Sequence, residues 1–263
     1  MSVIVTGAAS GIGRATAIEF AKRPLAGDQA KLMLVDRDEA GLASLIAELN
    51  ALGAAAATCV ADLMDPKAGE TVVAATLAAF DGIDALISNA GAIHMVPLAE
   101  ITTGQFDMLM NINARATLVL GQAARPYLAK SRGAIVATAS TAAENPIIPL
   151  GAYSASKAAL VMLMRQMAAE WGPEGIRCNC VSPGPTHTAM TAASYDDPEA
   201  RAARAAEIPL GRVGAPEDLA RAIRFLAGPD ASHISGVNLL VDGGISANIA
   251  TSKSSAANKI ENK

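Results

Sequence analysis

Tyr153 and Lys157 are the residues in this chain from which a base can be made. They lie four apart in Tyr153-Ser154-Ala155-Ser156-Lys157, on a stretch that reads as helix. That spacing puts both side chains on one face, one turn apart. A free phenol titrates near ~10, so useful phenolate near neutrality needs a depression of about 2–3 units, or roughly 3–4 kcal/mol. One ammonium at ~5 Å in an effective dielectric of ~20 supplies roughly 3 kcal/mol. The expectation is a pair that comes close to making its own base. Ser140 stands thirteen residues upstream of Tyr153, at the end of the apolar run Gly133–Ala139. A Tyr-x-x-x-Lys spacing also arises by chance in many helices, so the remainder of the chain has to decide.

The elements that must position these residues are legible as alternation. Apolar strand-like runs occur at Val3–Thr6, Lys31–Val35, Ala56–Val60, Ala85–Ser88, Ala134–Thr138, Arg177–Val181 and Val237–Val241, with longer helical stretches between them. This pattern predicts an α/β fold, a Rossmann-type doubly wound parallel sheet of about seven strands flanked by helices. Strands apolar on both faces fit a sheet covered on both sides. Thr102-Thr103-Gly104-Gln105 fits a capping box that starts a long helix through Tyr127, and Pro216-Glu217-Asp218 opens another. No composition break resembles a linker. The organisation expected is one domain over 1–250, a substrate lid at about 189–210, and a polar, flexible tail at 251–263.

Composition narrows the classes of function. The chain has 263 residues, 51% of them hydrophobic, 17% charged and 3% aromatic, with a net charge of −4. So few aromatics and a net negative charge argue against nucleic acid and anionic membranes as partners. No apolar stretch is long enough to span a bilayer, and the N-terminus enters a strand with no signal-like segment, so a cytoplasmic location is expected. Cys59, Cys178 and Cys180 lack the spacing of a zinc site or a disulfide framework. No metal is expected.

The first strand runs into Thr6-Gly7-Ala8-Ala9-Ser10-Gly11-Ile12-Gly13 and then a helix, read as Arg14–Lys22. Glycines there let the backbone approach a pyrophosphate, and the helix N-terminus adds N–H donors and positive dipole. Asp36 closes the second strand. An acid at that position can accept both hydroxyls of an adenosine ribose and repel a 2′-phosphate, which favours NAD over NADP. Arg37 pulls the other way, because a base can hold that phosphate.

Taken together, these segments resemble the short-chain dehydrogenases/reductases, in their compact single-domain branch. The likeness rests on Thr6–Gly13, Asp62-Leu63, Ser88-Asn89-Ala90-Gly91, the Ser140/Tyr153/Lys157 set, Val181-Ser182-Pro183-Gly184 and the C-terminal Gly236–Gly244, all in the family's order. The resemblance implies Tyr153 as catalytic acid/base and Lys157 as the group that lowers its pKa and holds the nicotinamide ribose. It implies Ser140 as the holder of the substrate oxygen. Asn113 is implied as the helix Asn that keeps a water in a proton relay. Asn inside a long helix is unfavourable by propensity, an independent reason to suspect it.

The cofactor set implied is Gly7, Ser10, Gly11, Ile12, Gly13, Asp36, Arg37, Asp62, Leu63, Asn89, Ala90, Gly91, Ile112, Tyr153, Lys157, Pro183, Gly184, Thr186 and Thr188. Ser88 departs from the family's frequent Asn, and the chain between Lys22 and Lys31 is a few residues longer than usual.

Candidate substrate contacts are Ser140, Glu144, Asn145, His94, His187 and Met190. Glu144 at the mouth would disfavour anions and suit a neutral polyol or cyclic alcohol. The function expected is an NAD-dependent oxidoreductase interconverting a secondary alcohol and a ketone. An NADPH-dependent 3-oxoacyl (carrier-protein) reductase is the alternative, and a non-catalytic dinucleotide-binding regulator a third reading. The resemblance also implies a homotetramer, through helices beginning near Gln105 and Tyr153.

Overall fold

The computed structural model describes residues 1–27, 29–148 and 150–248; the expected tail at 251–263 lies outside the described residues. Seven parallel strands form one sheet in the order β3-β2-β1-β4-β5-β6-β7. They are β1 (Ser2–Thr6), β2 (Lys31–Asp36), β3 (Ala55–Val60), β4 (Ala85–Ser88), β5 (Ala134–Thr138), β6 (Arg177–Pro183) and β7 (Asn238–Val241). The sheet order reverses direction between β1 and β4, and the chain leaves both strands at the same edge of the sheet. In open α/β sheets, ligands bind at this reversal, outside the carboxyl ends of the strands.

Alternation along the strands sorts two cores. Val3, Val5, Leu32, Leu34, Ile87 and Val136 face one side. There they meet α1 (Gly11–Lys22), α2 (Glu39–Ala51) and α9 (Pro216–Ala227) through Phe20, Leu42, Leu45, Leu49, Leu219 and Ile223. Ile4, Met33, Val35, Leu86 and Ile135 face the other side. That layer is built by α3 (Ala68–Ala79), α5 (Ala116–Ser131) and α6 (Ala152–Trp171), through Val72, Leu120, Leu128, Leu160, Met164 and Trp171. Cys178 and Cys180 fill this second core as free thiols, and burial raises both to about 12. A fully buried Leu such as Leu45 contributes about 1.5–3 kcal/mol.

Several boundaries differ from the sequence expectation, each for a local reason. The first helix begins at Gly11 rather than Arg14, because the glycine turn itself supplies the first helical residues. β6 runs on through Ser182 and Pro183, paired with β7, so these residues belong to the sheet. The Thr102/Gln105 capping box is present, but the helix it opens is not uniform. α4 (Thr103–Met110) passes into a π-turn at Asn111–Arg115 before α5 begins. The segment expected as a lid holds a 3-10 turn at Ala189–Thr191, then α7 (Ala192–Tyr195) and α8 (Pro198–Ala206).

Candidate active site

Ser140, Tyr153, Lys157 and Asn113 converge beyond the carboxyl ends of β4 and β5. Ser140 follows β5 in extended conformation and caps the 3-10 turn Thr141–Ala143, its Oγ accepting from the Ala142 N–H at 3.1 Å. Gly151, with φ of +51°, opens α6, and Tyr153 stands in that helix's first turn. Tyr153 is buried beside Leu109, Ala142 and Ala152, with the Ser140 side chain near enough to influence its hydroxyl. Lys157, one turn on, is 4% exposed and donates from Nζ to the Thr138 carbonyl at 2.8 Å. Its Nζ lies 5.8 Å from the Tyr153 ring centroid.

The electrostatics differ from the sequence expectation. Burial pushes the Tyr153 phenol above its ordinary value, and the nearby Ser140 side chain only partly opposes this. Burial likewise pulls Lys157 down to about 8, against a small opposing influence from Cys180. Desolvation therefore outweighs the mutual help that the i, i+4 spacing promised, and the two side chains do not by themselves make a phenolate at neutral pH.

Asn113 sits in the π-turn, a distortion that recurs at functional sites. Its Nδ2 donates to the Ala92 carbonyl at 2.9 Å and to Ser156 Oγ at 3.0 Å, and its Oδ1 accepts from the Ala92 N–H at 3.0 Å. Gly91 lies against it: a Cβ there would stand 2.7 Å from Asn113 Oδ1 and 3.4 Å from Lys157 Nζ.

The glycine turn fits a dinucleotide on its own geometry. A Cβ at Gly13 would lie 2.0 Å from the Gly7 carbonyl oxygen, so the helix start packs directly on the turn. Gly7 and Gly11 have φ of +65° and +53°, which other residues adopt only under strain. The first helical bond is Arg14 N to Ser10 O, and Ser10 provides no side-chain cap. The amides of Gly11, Ile12 and Gly13 therefore lack helical acceptors and suit an anion. Thr188 packs against Gly11, where a Cβ would stand 3.5 Å from Thr188 Cβ, and a cavity of about 490 Å³ is lined by Gly11, Arg14, Glu48, His187, Thr188 and Pro216.

Other expected residues have structural partners. Asp36 accepts from the Ala9 N–H at 3.0 Å and from the Arg37 and Asp38 N–H groups at 2.8 and 3.1 Å, while the Arg37 side chain is exposed. Asp62 is exposed and accepts from the Met64 N–H; Leu63 is buried in the core. Asn89 ties the strand ends together, donating to the Thr6 carbonyl and accepting from Thr138 Oγ1. Ala90 donates from its N–H to Thr6 Oγ1, and Ile112 packs against the core beside the π-turn. Gly184 is pressed on Asp242, where a Cβ would stand 2.5 Å from Asp242 Cβ, and Thr186 Oγ1 donates to the Gly184 carbonyl. Pro183 ends β6 and leads into this loop.

The substrate candidates have differing surroundings. His94 is hydrogen-bonded to Gln105, and His187 pairs with Asp196 Oδ1 at 2.9 Å beside Tyr195. Glu144 accepts from Asn238 Nδ2, Asn145 is exposed, and Met190 is 54% exposed. Sequence reasoning missed Thr138, whose carbonyl holds Lys157, and Asn238. Backbone acceptors leave no signature in residue type, and Asn238 lies far away in sequence. Among the described residues, no group of three or more His, Cys, Asp or Glu is placed to hold a metal ion, and no helix is long and apolar enough to cross a membrane.

A parallel sheet with a glycine turn after β1 and a Ser–Tyr–Lys set after β5 defines a dinucleotide-dependent oxidoreductase. The family model described as "Enoyl-(Acyl carrier protein) reductase" matches residues 7–246. L-Rhamnose 1-dehydrogenase (NAD(P)(+)) of Azotobacter vinelandii is 38% identical over 253 residues, covering 94% of this chain and 97% of that one. D-Threitol dehydrogenase of Mycolicibacterium smegmatis is 35% identical over 242 residues, covering 92% and 91%. The crystal structure of levodione reductase matches with a TM-score of 0.87 at 33% identity, over 94% of this chain and 98% of that one. The chain belongs to the short-chain dehydrogenase/reductase family and is an NAD(P)-dependent oxidoreductase acting on CH–OH groups.

Proposed function

We propose that the protein interconverts a secondary alcohol and its ketone with NAD, using Tyr153 as acid/base in an Asn113–Ser140–Tyr153–Lys157 set. The observation that carries this reading is the convergence of Ser140 and buried Tyr153 beside a lysine buried on the Thr138 carbonyl. Bound nicotinamide would take the hydride from the alcohol carbon or return it to the ketone. In oxidation, Tyr153 Oη receives the hydroxyl proton while Ser140 Oγ holds the substrate oxygen. In reduction, the protonated phenol, the form that burial favours, donates to the developing alkoxide. If oxidised nicotinamide were bound here, its positive charge would add the phenolate stabilisation that Lys157 alone does not give. Asn113 keeps one Oδ1 lone pair for a relay water, its other positions being filled by Ala92 and Ser156.

Gly7–Gly13 with their helix amides would hold the pyrophosphate, Asp36 the adenosine ribose, and Asp62 and Leu63 the adenine. Asn89–Gly91 and Ile112 would line the nicotinamide half, with Pro183, Gly184, Thr186 and Thr188 closing over it. Asp36 supports NAD, although its three backbone bonds leave it less free than a bare carboxylate. Exposed Arg37 keeps the NADPH-dependent 3-oxoacyl reductase as a second reading. At the mouth, Met95, Leu98, Ile147 and Ile148 are exposed on two loops that meet where Gly151 abuts the Val96 carbonyl. An apolar rim of this kind supports a neutral substrate, small or cyclic, over a carboxylate. The exposed Met162 on α6 supports a homotetramer built on α4–α5 and α6, and the three buried free thiols support a reducing, cytoplasmic setting.

The test is a panel of secondary alcohols and ketones run with NAD and NADP, followed by absorbance of the reduced nucleotide. Turnover is expected with NAD, and Tyr153→Phe should abolish it while nucleotide binding persists. Substantial turnover in that variant would sink the mechanism. Preference for NADPH with acyl thioesters would transfer the assignment to the second reading.

A further inference from the structure

The segment from Ser140 to Glu144, which leads from the catalytic hydroxyl to the substrate mouth, is gripped from outside the catalytic set. Ser182, on β6 and fully buried, directs its hydroxyl at Ser140 O at 3.1 Å and at Asn238 Oδ1 at 2.7 Å. Asn238 is the first residue of β7, and its Nδ2 donates to Glu144 Oε1 at 2.9 Å. One amide thus reaches both ends of the segment, the near end through Ser182 and the far end through Glu144.

Locally the segment is held by short-range bonds, Ala142 N to Ser140 Oγ at 3.1 Å and Glu144 N to Thr141 O at 3.2 Å, with Thr141 and Ala142 buried. It contains the 3-10 turn Thr141–Ala143, with Ala143 N donating to Ser140 O at 2.9 Å. Short 3-10 turns have poor hydrogen-bond geometry and depend on their surroundings. The donor–acceptor matching is one-way. An ionised Glu144 only accepts, so it fixes the Asn238 amide with Nδ2 outward and Oδ1 toward Ser182. Ser182 has a single proton for two oxygens, so its hold on Ser140 O depends on where Asn238 stands.

We propose that Asn238 is a positioning residue that sets the Ser140 main chain, and so the aim of the Ser140 hydroxyl, with Glu144 as the acceptor that orients it. Glu144 then acts through Asn238 and not as a substrate contact. This rests on Ser140 and Tyr153 being the catalytic pair.

The experiment uses the full chain with NAD and the best alcohol of the panel. Asn238→Ala and Glu144→Ala are each expected to lower kcat by about tenfold or more while KM for NAD stays within about twofold. Glu144→Gln keeps an oxygen for Nδ2 and should recover most of the loss. The double variant Glu144→Ala/Asn238→Ala should be no slower than the worse single variant, because both break one linkage. If Asn238→Ala does not fold, the Glu144→Ala and Glu144→Gln pair carries the test. The proposal is overturned if Asn238→Ala keeps near wild-type kcat, if Glu144→Gln is as slow as Glu144→Ala, or if the double variant shows multiplied losses. An active Tyr153→Phe variant would instead refute the catalytic reading, whereas an inactive Tyr153→Phe with an unaffected Asn238→Ala would refute this inference alone.

Discussion

Lys157→Met should convert the burial of this ammonium into a measurable pH dependence of stability. Lys157 is held at about 8 from an ordinary 10.5, chiefly by desolvation. At about 1.4 kcal/mol per unit, the buried charge costs the folded state about 3 kcal/mol. Below pH 8 the lysine is protonated in both folded and unfolded chains, so the penalty is carried in full. Between 8 and 10.5 the unfolded chain still binds the proton and the folded chain does not. The unfolded state then binds more protons, and stability rises with pH. Above 10.5 the dependence ends. Methionine has no proton to exchange, so the difference between the two proteins isolates the lysine.

Burial raises the Tyr153 phenol, which would add its own pH dependence at the alkaline end, so the comparison belongs in a Tyr153→Phe background, with and without Lys157→Met. The bond to the Thr138 carbonyl offsets part of the cost by about 1.5–3 kcal/mol, so the two proteins should lie close together at pH 7.5. By urea unfolding, the lysine protein should gain about 3 kcal/mol on the methionine protein between pH 7.5 and 10.5, equivalent to about 6–12 °C in Tm. Parallel curves across that window would mean that Lys157 is hydrated, and the electrostatic account of the site would fail.

Other expectations follow from single contacts. Gly91→Ala would put a methyl 2.7 Å from Asn113 Oδ1 and 3.4 Å from Lys157 Nζ, so kcat should fall by about tenfold or more in a folded protein, measured by steady-state kinetics alongside circular dichroism. Arg177 donates to the carbonyls of Leu226, Ala227 and Gly228 at the end of α9. Arg177→Met should therefore cost about 2–4 kcal/mol in urea unfolding, by leaving helix-end acceptors unpaired. Because burial holds the Tyr153 phenol above its ordinary value, kcat/KM for alcohol oxidation should climb with pH through the neutral and mildly alkaline range, and that for ketone reduction should not. A flat oxidation profile would remove Tyr153 as the base.

Strand identity was readable because short apolar runs between helical stretches are local properties. Val3 and Val5 face one layer and Ile4 the other, as the pleat requires. The Thr102/Gln105 capping box was readable for the same reason: its bonds close within one turn. The π-turn at Asn111–Arg115 was not, because its backbone follows from Asn113 bonding to Ala92 and Ser156, groups distant in sequence. His94 and His187 looked available from their loop positions, and only the folded chain supplied Gln105 and Asp196 as their partners.

By itself the sequence determined that Tyr153 and Lys157 share a helix face, that glycines follow β1, and that the strands build a covered parallel sheet. Each of these depends on spacing along the chain. Only the tertiary structure decided what that face does. Packing on Leu109, Ala142 and Ala152 removes water from Tyr153, and the Thr138 carbonyl captures the Lys157 ammonium. Solvation energy depends on what surrounds a group in three dimensions, so burial reversed the direction in which the phenol was expected to shift.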